Sequence, residues 1–226
     1  MSRVVGSVLI AIGAFLVVLA PLTRFQVAPA LIAAKADQYG ISNLRATGAQ
    51  YFSIAEGRVL TADLAITVTT RGDVKEATDD RVVWDEFTAV TDVTNNQSID
   101  FTERRSAFDK RSGVGLNCCG VSIDKEPVKL EGQIYKWPFD VEKKTYKVFN
   151  ATAKQAFDAT FVREEKVNGL DTYVFEQNVP PTKTSTLTIP ASIIGVTDVS
   201  GDVQVDRWYD GKTTYWIEPV SGSSVK

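Results

Sequence analysis

Few side chains in this sequence are equipped for chemistry, and their types narrow what that chemistry could be. Cys118 and Cys119 stand next to each other in Gly115-Leu-Asn-Cys-Cys-Gly120. Two thiolates cannot complete a four-ligand zinc site. In an oxidising compartment they could close on each other, although neighbouring Cα atoms lie about 3.8 Å apart, below the usual span of a disulfide. The pair reads as small loop residues, as a strained vicinal bridge, or as thiols for redox or intermolecular exchange. Asp198, Asp202, Asp206 and Asp210 recur every four residues. Calcium would need these carboxylates to converge with carbonyl oxygens. The segment reads as strand and turn, however, so helical spacing does not gather them, and solvated strand edges are the simpler account. Arg71-Gly72-Asp73 matches an adhesion tripeptide, but a glycine flanked by charges between two strands is a turn. Asn96-Gln-Ser98 and Asn150-Ala-Thr152 match glycan acceptors and read as turn residues.

Histidine is absent. Its absence removes the commonest general base, every triad built on it, and imidazole-ligated metal sites. The residues point to no catalytic set, no cofactor and no metal, and so to a protein that is not an enzyme.

The element that positions everything else is Val4–Thr23, an uncharged apolar run closed by Arg3 and Arg24. At the helical rise these 20 residues span roughly 30 Å, the thickness of a bilayer's hydrocarbon core. A cleaved signal peptide has a shorter apolar core, about 7–15 residues, before a small-x-small site. Ala28-Pro29-Ala30 resembles such a site, but the core is too long and Arg24 interrupts the approach. A retained anchor is the reading the length favours. Arg3 lies on one side and Arg24 and Lys35 on the other, so charge barely sets orientation. The large C-terminal part is most simply exported. Gly6, Gly13 and Ala20 recur every seven positions and share one helix face, where a neighbouring helix could approach closely.

The whole chain is 226 residues with net charge −3; without Arg3 and Arg24 the remainder carries −5. A mildly acidic domain with no basic stripe argues against nucleic acid. Beyond the anchor about 200 residues remain, enough for one domain with a real core or two small ones. Residues 25–49 read as a connector, with Pro29 opening a helical turn towards Lys35 and Gly40 stopping it. From about Gln50 the apolar period becomes two: Leu60, Ala62, Leu64, Ile66 and Val68 alternate with polar residues. Arg81–Val93 and Ile99–Phe108 are strands around an Asn95-Asn96 turn. Residues 109–132 look irregular and glycine-rich. Three aromatics crowd Pro138, a stretch that suits packing on a sheet. Phe157–Lys166 and Leu170–Val179 form a hairpin around Asn168-Gly169, ended by Pro180-Pro181. Thr184–Ile189 is another strand, Ala191–Val196 a short apolar segment, and Val203–Tyr209 with Lys212–Glu218 a last hairpin around Asp210-Gly211. The expected fold is mainly β: an N-terminal transmembrane helix followed by an antiparallel, sandwich-like β domain over 50–226, with subdomains conceivable at 50–132 and 133–226.

Several stretches together resemble a known family. They are Arg3-Val-Val-Gly6, Val18-Leu-Ala-Pro-Leu22, Tyr135-Lys-Trp-Pro-Phe-Asp-Val-Glu-Lys-Lys-Thr-Tyr146, Asn168-Gly-Leu170, Phe175-Glu-Gln177, Val179-Pro-Pro181 and Tyr215-Trp-Ile-Glu-Pro-Val-Ser-Gly222. They are similar to an actinobacterial family called porin-PorA-like, formerly a domain of unknown function. The resemblance covers nearly the whole chain. It implies an envelope protein with an N-terminal anchor, an extracytoplasmic β domain and usually a second membrane helix near the C-terminus. This chain departs from the pattern by lacking that second helix, as a truncated form or a shorter branch would. The Trp216-Ile-Glu-Pro-x-Ser-Gly222 segment also resembles a hairpin of lipoprotein-carrier folds.

A membrane barrel needs strands of about 9–11 residues with an unbroken lipid-facing apolar band. Here outward positions include Asp63, Thr67, Asp85 and Asp171. What is left is a tethered binding or scaffolding domain of the cell envelope. It would sit in the cytoplasmic membrane as a single-pass protein with its C-terminal domain outside the cytoplasm. It would dock as an accessory subunit on a membrane-protein partner through the anchor helix and the β domain. An envelope lipid carrier or a porin-like channel component are the other readings.

Overall fold

The computed structural model describes residues 2–27, 33–53, 56–195, 198 and 201–226. The chain divides into two units, Met1–Ala34 and Lys35–Lys226.

In the first unit, helix α1 spans Ser2–Leu22 and passes into a π-helical turn, Thr23–Val27. Beyond Arg3, Leu, Ala, Ile and Val fill most of it and no charge interrupts it, and its helical backbone satisfies its own hydrogen bonds. Pro21 lacks an N–H and crowds the preceding turn, and the helix widens just after it. The Thr23 hydroxyl donates to the carbonyls of Leu19 and Ala20, at 2.9 Å each, where the backbone ladder is disturbed. Val4–Val27 is long and apolar enough to cross a membrane. Ala28-Pro29-Ala30, and with it the start of the expected helical turn, lies outside the described residues. Ala33–Gln38 is not helical.

The second unit holds two antiparallel sheets. The first is a meander of β1 (Tyr39–Ser53), β2 (Arg58–Gly72), β3 (Arg81–Asp92) and β4 (Gln97–Asp109). Three two-residue strands, β5 (Gly115–Leu116), β6 (Ser122–Ile123) and β7 (Glu126–Pro127), fringe β4. The second sheet runs in the order β11-β10-β9-β8, with β8 at Tyr146–Asn150, β9 at Gln155–Val167, β10 at Leu170–Pro190 and β11 at Asp202–Ile217. Both sheets are open, and among the described residues neither closes into a barrel.

Gln133 stitches the sheets together. Its N–H donates to Lys147 O at 2.8 Å, and its carbonyl accepts from Phe149 N at 2.9 Å, on the second sheet. On the other side, the flanking Gly132 bonds to Gly115 of β5 in the first sheet, and Ile134 to Gly113 in the loop just before it. The aromatic stretch follows at once. Trp137 is 3% exposed and packs with Val141, Val148, Ala159, Phe175 and Ile217. Its N–H donates to Gly222 O at 3.0 Å, and Val141 N donates to Pro219 O at 2.7 Å, so the C-terminal turn closes over the motif. The expectation that this stretch packs on a sheet holds.

Several boundaries differ from the expectation. Arg71 and Gly72, read as turn, end strand β2 opposite Asp85 and Trp84, and the stretch read as irregular holds β5 to β7. The ladder starts at Tyr39, inside the stretch read as connector, because β1 is exposed on both faces and carries no alternation. β10 continues through Pro180-Pro181. Both prolines fall between the pairs Val179↔Gly211 and Thr182↔Tyr209, two residues facing one, and pairing with β9 has ended by then. A bulge on an unpaired edge needs no N–H from either. Asp210-Gly211 lies opposite that bulge within the single strand β11, so the expected last hairpin does not form. Ala191–Ile194 is one 3₁₀ turn, and Val196 lies outside the described residues. The Asn168-Gly169 hairpin forms as expected, with φ 51° and 84°, the pair of positive values its turn requires.

Candidate functional site

The polar residues of the β unit gather around two adjacent arginines on β4. Pairing of β3 with β4 about the Asn95 turn sets Asp85 opposite Arg105 and Glu86 opposite Arg104. Successive strand residues point to opposite faces, so the two pairs separate.

On one face Arg105 is a hub. Its guanidinium donates to Asp85 at 2.8 and 2.9 Å and to Asp73 at 2.7 Å, while Nε donates to Cys119 O at 2.8 Å. The hydrogen bond from Arg105 holds the Asp73 carboxyl below the usual carboxylate range. The Arg71-Gly72-Asp73 triplet is therefore structural, since its carboxylate is already engaged. The Cys119 carbonyl belongs to a turn in which Cys118 and Cys119 are joined by a disulfide. Of the three readings of that pair, the structure holds the vicinal bridge.

On the other face Arg104 is 8% exposed. Its guanidinium lies 4.7 Å from the Tyr135 ring centre and 5.4 Å from that of Phe149. Nε donates to Ser106 Oγ at 3.0 Å, while Nη2 is buried without a partner among the described groups. Burial pushes the Glu86 carboxyl up, against the pull of Arg104. Burial likewise pushes the Tyr135 phenol up to about 12. Asp92 is fully buried and accepts from Tyr51 Oη at 2.7 Å and from Asn95 N and Nδ2 at 2.8 Å, closing the β3–β4 turn.

Two residues along β4 from Arg104, an open recess of about 340 Å³ lies beside Thr102, Asp124, Thr152, Lys154, Thr184 and Arg207. It offers hydroxyls and charges of both signs, suited to hydrogen bonding with a polar group.

The aspartates at 202, 206 and 210 do not converge. Residues four apart in an extended strand are separated by about 13 Å. Asp206 is occupied by Lys183 at 2.7 Å and Thr186 Oγ1 at 2.9 Å. Among the described residues no group of three metal-type ligands comes together. In α1, a Cβ added at Gly6 or Gly13 would meet nothing within 4 Å, and Ala20 is exposed.

Sequence reasoning missed the arginine hub, the buried Arg104 stack and the recess. A signal for the first two was present: Asp85-Glu86 and Arg104-Arg105 are symmetric about Asn95. Folding the strands back on that turn brings opposite charges into register. The recess has no such signal, because its residues come from five separate segments: β4, the β6–β7 turn, the β8–β9 turn, β10 and β11.

The profile of one protein family, Porin PorA, matches residues 5–226. A protein of Corynebacterium amycolatum described as Porin PorA is 26% identical over 150 residues, covering 53% of this chain and 39% of that protein. The chain thus spans about two-fifths of that relative's length. With the match running from the N-terminal helix to the last residue, the chain belongs to the Porin PorA family.

Proposed function

We propose that this chain is a membrane-tethered, non-enzymatic envelope protein that works as an accessory subunit of a membrane complex. Its helix would sit in the cytoplasmic membrane, with the β unit outside the cytoplasm. The observation that carries this reading is the apolar helix Val4–Val27, which carries the small residues Gly6 and Gly13 seven positions apart. In lipid, helices associate through close packing at such small residues. The β unit supports a scaffolding role, since its core is filled by its own side chains and its Arg105 hub is satisfied internally.

The polar recess beside Lys154 and Arg207 favours a second reading, in which the β unit binds the polar head of an envelope lipid. The family's name raises a third, a channel component. One chain's open sheets would then need further chains to enclose a pore.

Purification of the full chain from its native membrane in mild detergent separates these. Stoichiometric membrane subunits are expected, and Gly13→Leu should remove them while Gly13→Ala leaves most of them bound. The Leu variant should still insert, because leucine favours the bilayer. Lipid recovered with no protein subunit would turn the assignment to a carrier. Unchanged subunit recovery in a Gly6→Leu/Gly13→Leu double variant would make the helix a tether only.

A further inference from the structure

The first sheet ends on a long, unguarded edge. β1 spans 15 residues and pairs on one side with β2; among the described residues nothing pairs with its other side. Natural edges are normally defended by charges, prolines or bulges. The edge of the second sheet follows this rule, since β11 carries Asp202, Asp206, Arg207, Asp210 and Lys212. β1 has no proline and one charge, Arg45. Its register is regular from Tyr39 to Ala46 and shifts only before Ala49. Along the regular run Tyr39 is 68% exposed, Ile41 54% and Leu44 55%. Arg45 is exposed and makes no ion pair among the described residues.

We propose that this edge pairs antiparallel with β1 of a second copy of the chain, about a two-fold axis at Ser42. Four features of the strand fit a copy of itself. The axis sets Ser42 against Ser42, two small residues at the closest point. It sets Ile41 beside Asn43. On the same face the strand's one charge, Arg45, falls opposite the exposed ring of Tyr39, twice by symmetry, which is the charge-to-ring arrangement in which a cation is attracted. On the other face Leu44 falls opposite Gly40, where there is no side chain to meet. Leu44 also ends an apolar row, Val90–Ile66–Leu44, that runs across β3, β2 and β1 to the free edge. Pairing sets the partner strand's backbone at Gly40 beside this exposed end of the row. A self-complementary patch of this kind produces a closed dimer and not a fibre.

The test uses the full chain in mild detergent. Directly opposite residues in an antiparallel pair have Cα atoms about 4.5–5.5 Å apart, within disulfide reach. Under copper-phenanthroline oxidation, Ser42→Cys should therefore give a covalent homodimer, while Gln204→Cys on β11 should not. Native mass spectrometry of the unmodified protein should show the dimer. Ser42→Lys places two ammonium groups across the axis and should weaken the dimer about tenfold or more, with the circular dichroism spectrum of the fold unchanged. A monomer at micromolar concentration would overturn the proposal. So would equal cross-linking through Gln204→Cys, or a Ser42→Cys bridge to a different polypeptide.

Discussion

Replacing Trp137 by alanine probes the join between the aromatic motif and the second sheet. The indole is 3% exposed, with ring centres 4.4 Å from Phe175, 5.0 Å from Tyr146 and 5.9 Å from Tyr215. Truncation removes the transfer term of a large aromatic and leaves a cavity walled by three rings that are themselves held in strands. Such substitutions cost about 3–5 kcal/mol. A unit of this size shifts its melting temperature by about 2–4 °C per kcal/mol. Thermal unfolding followed by circular dichroism should therefore move down by roughly 6–20 °C. The control is Trp208→Ala, at a site 58% exposed, which should stay within about 0.5 kcal/mol of the parent. Equal small shifts in the two variants would refute the reasoning. Unchanged stability with lost partner recovery would make the motif a recognition surface instead of a core.

The turn that closes over the motif gives a second test. Gly222 has φ 69°, and a Cβ there would strike the backbone carbonyl oxygens of Trp137 and Pro138. Gly169 has φ 84° with open space around it. Gly222→Ala should cost clearly more than about 1 kcal/mol and more than Gly169→Ala; equal melting temperatures would contradict the packing described. The Tyr135 phenol provides a pH test. Burial raises it to about 12 in the folded state, against about 10 when unfolded. The folded protein then holds a proton that the unfolded chain has released. This stabilisation is complete below pH 10 and is lost as pH rises towards 12. Urea titrations of the parent and Tyr135→Phe should diverge across that alkaline window, and parallel profiles would argue against a buried phenol.

The apolar helix was legible residue by residue, because an uncharged run long enough to cross a bilayer is a property of each position in turn. The β class was legible for a similar reason: Leu60–Val68 alternates, and alternation is a local property of a half-buried strand. The Asn168-Gly169 turn was equally local, set by the two residues that tolerate positive φ. The errors fall where the deciding contact is distant. β1 lacks a pattern because both its faces are exposed. Pro180-Pro181 looks like a stop until a bulge opposite Asp210 accommodates it, and Asp210-Gly211 looks like a turn until β10 occupies its place.

By itself, then, the sequence determined the apolar N-terminal helix, the antiparallel class, the family likeness and the burial of Trp137. Each depends on residue type at short range. The tertiary structure alone decided that Asp73 serves Arg105, that Arg104 lies between Tyr135 and Phe149, that the cysteines bridge, and that β1 is left as an open edge. Those outcomes depend on strand order and register. Register is set by the sum of many cross-strand contacts, and no short stretch of the sequence contains that sum.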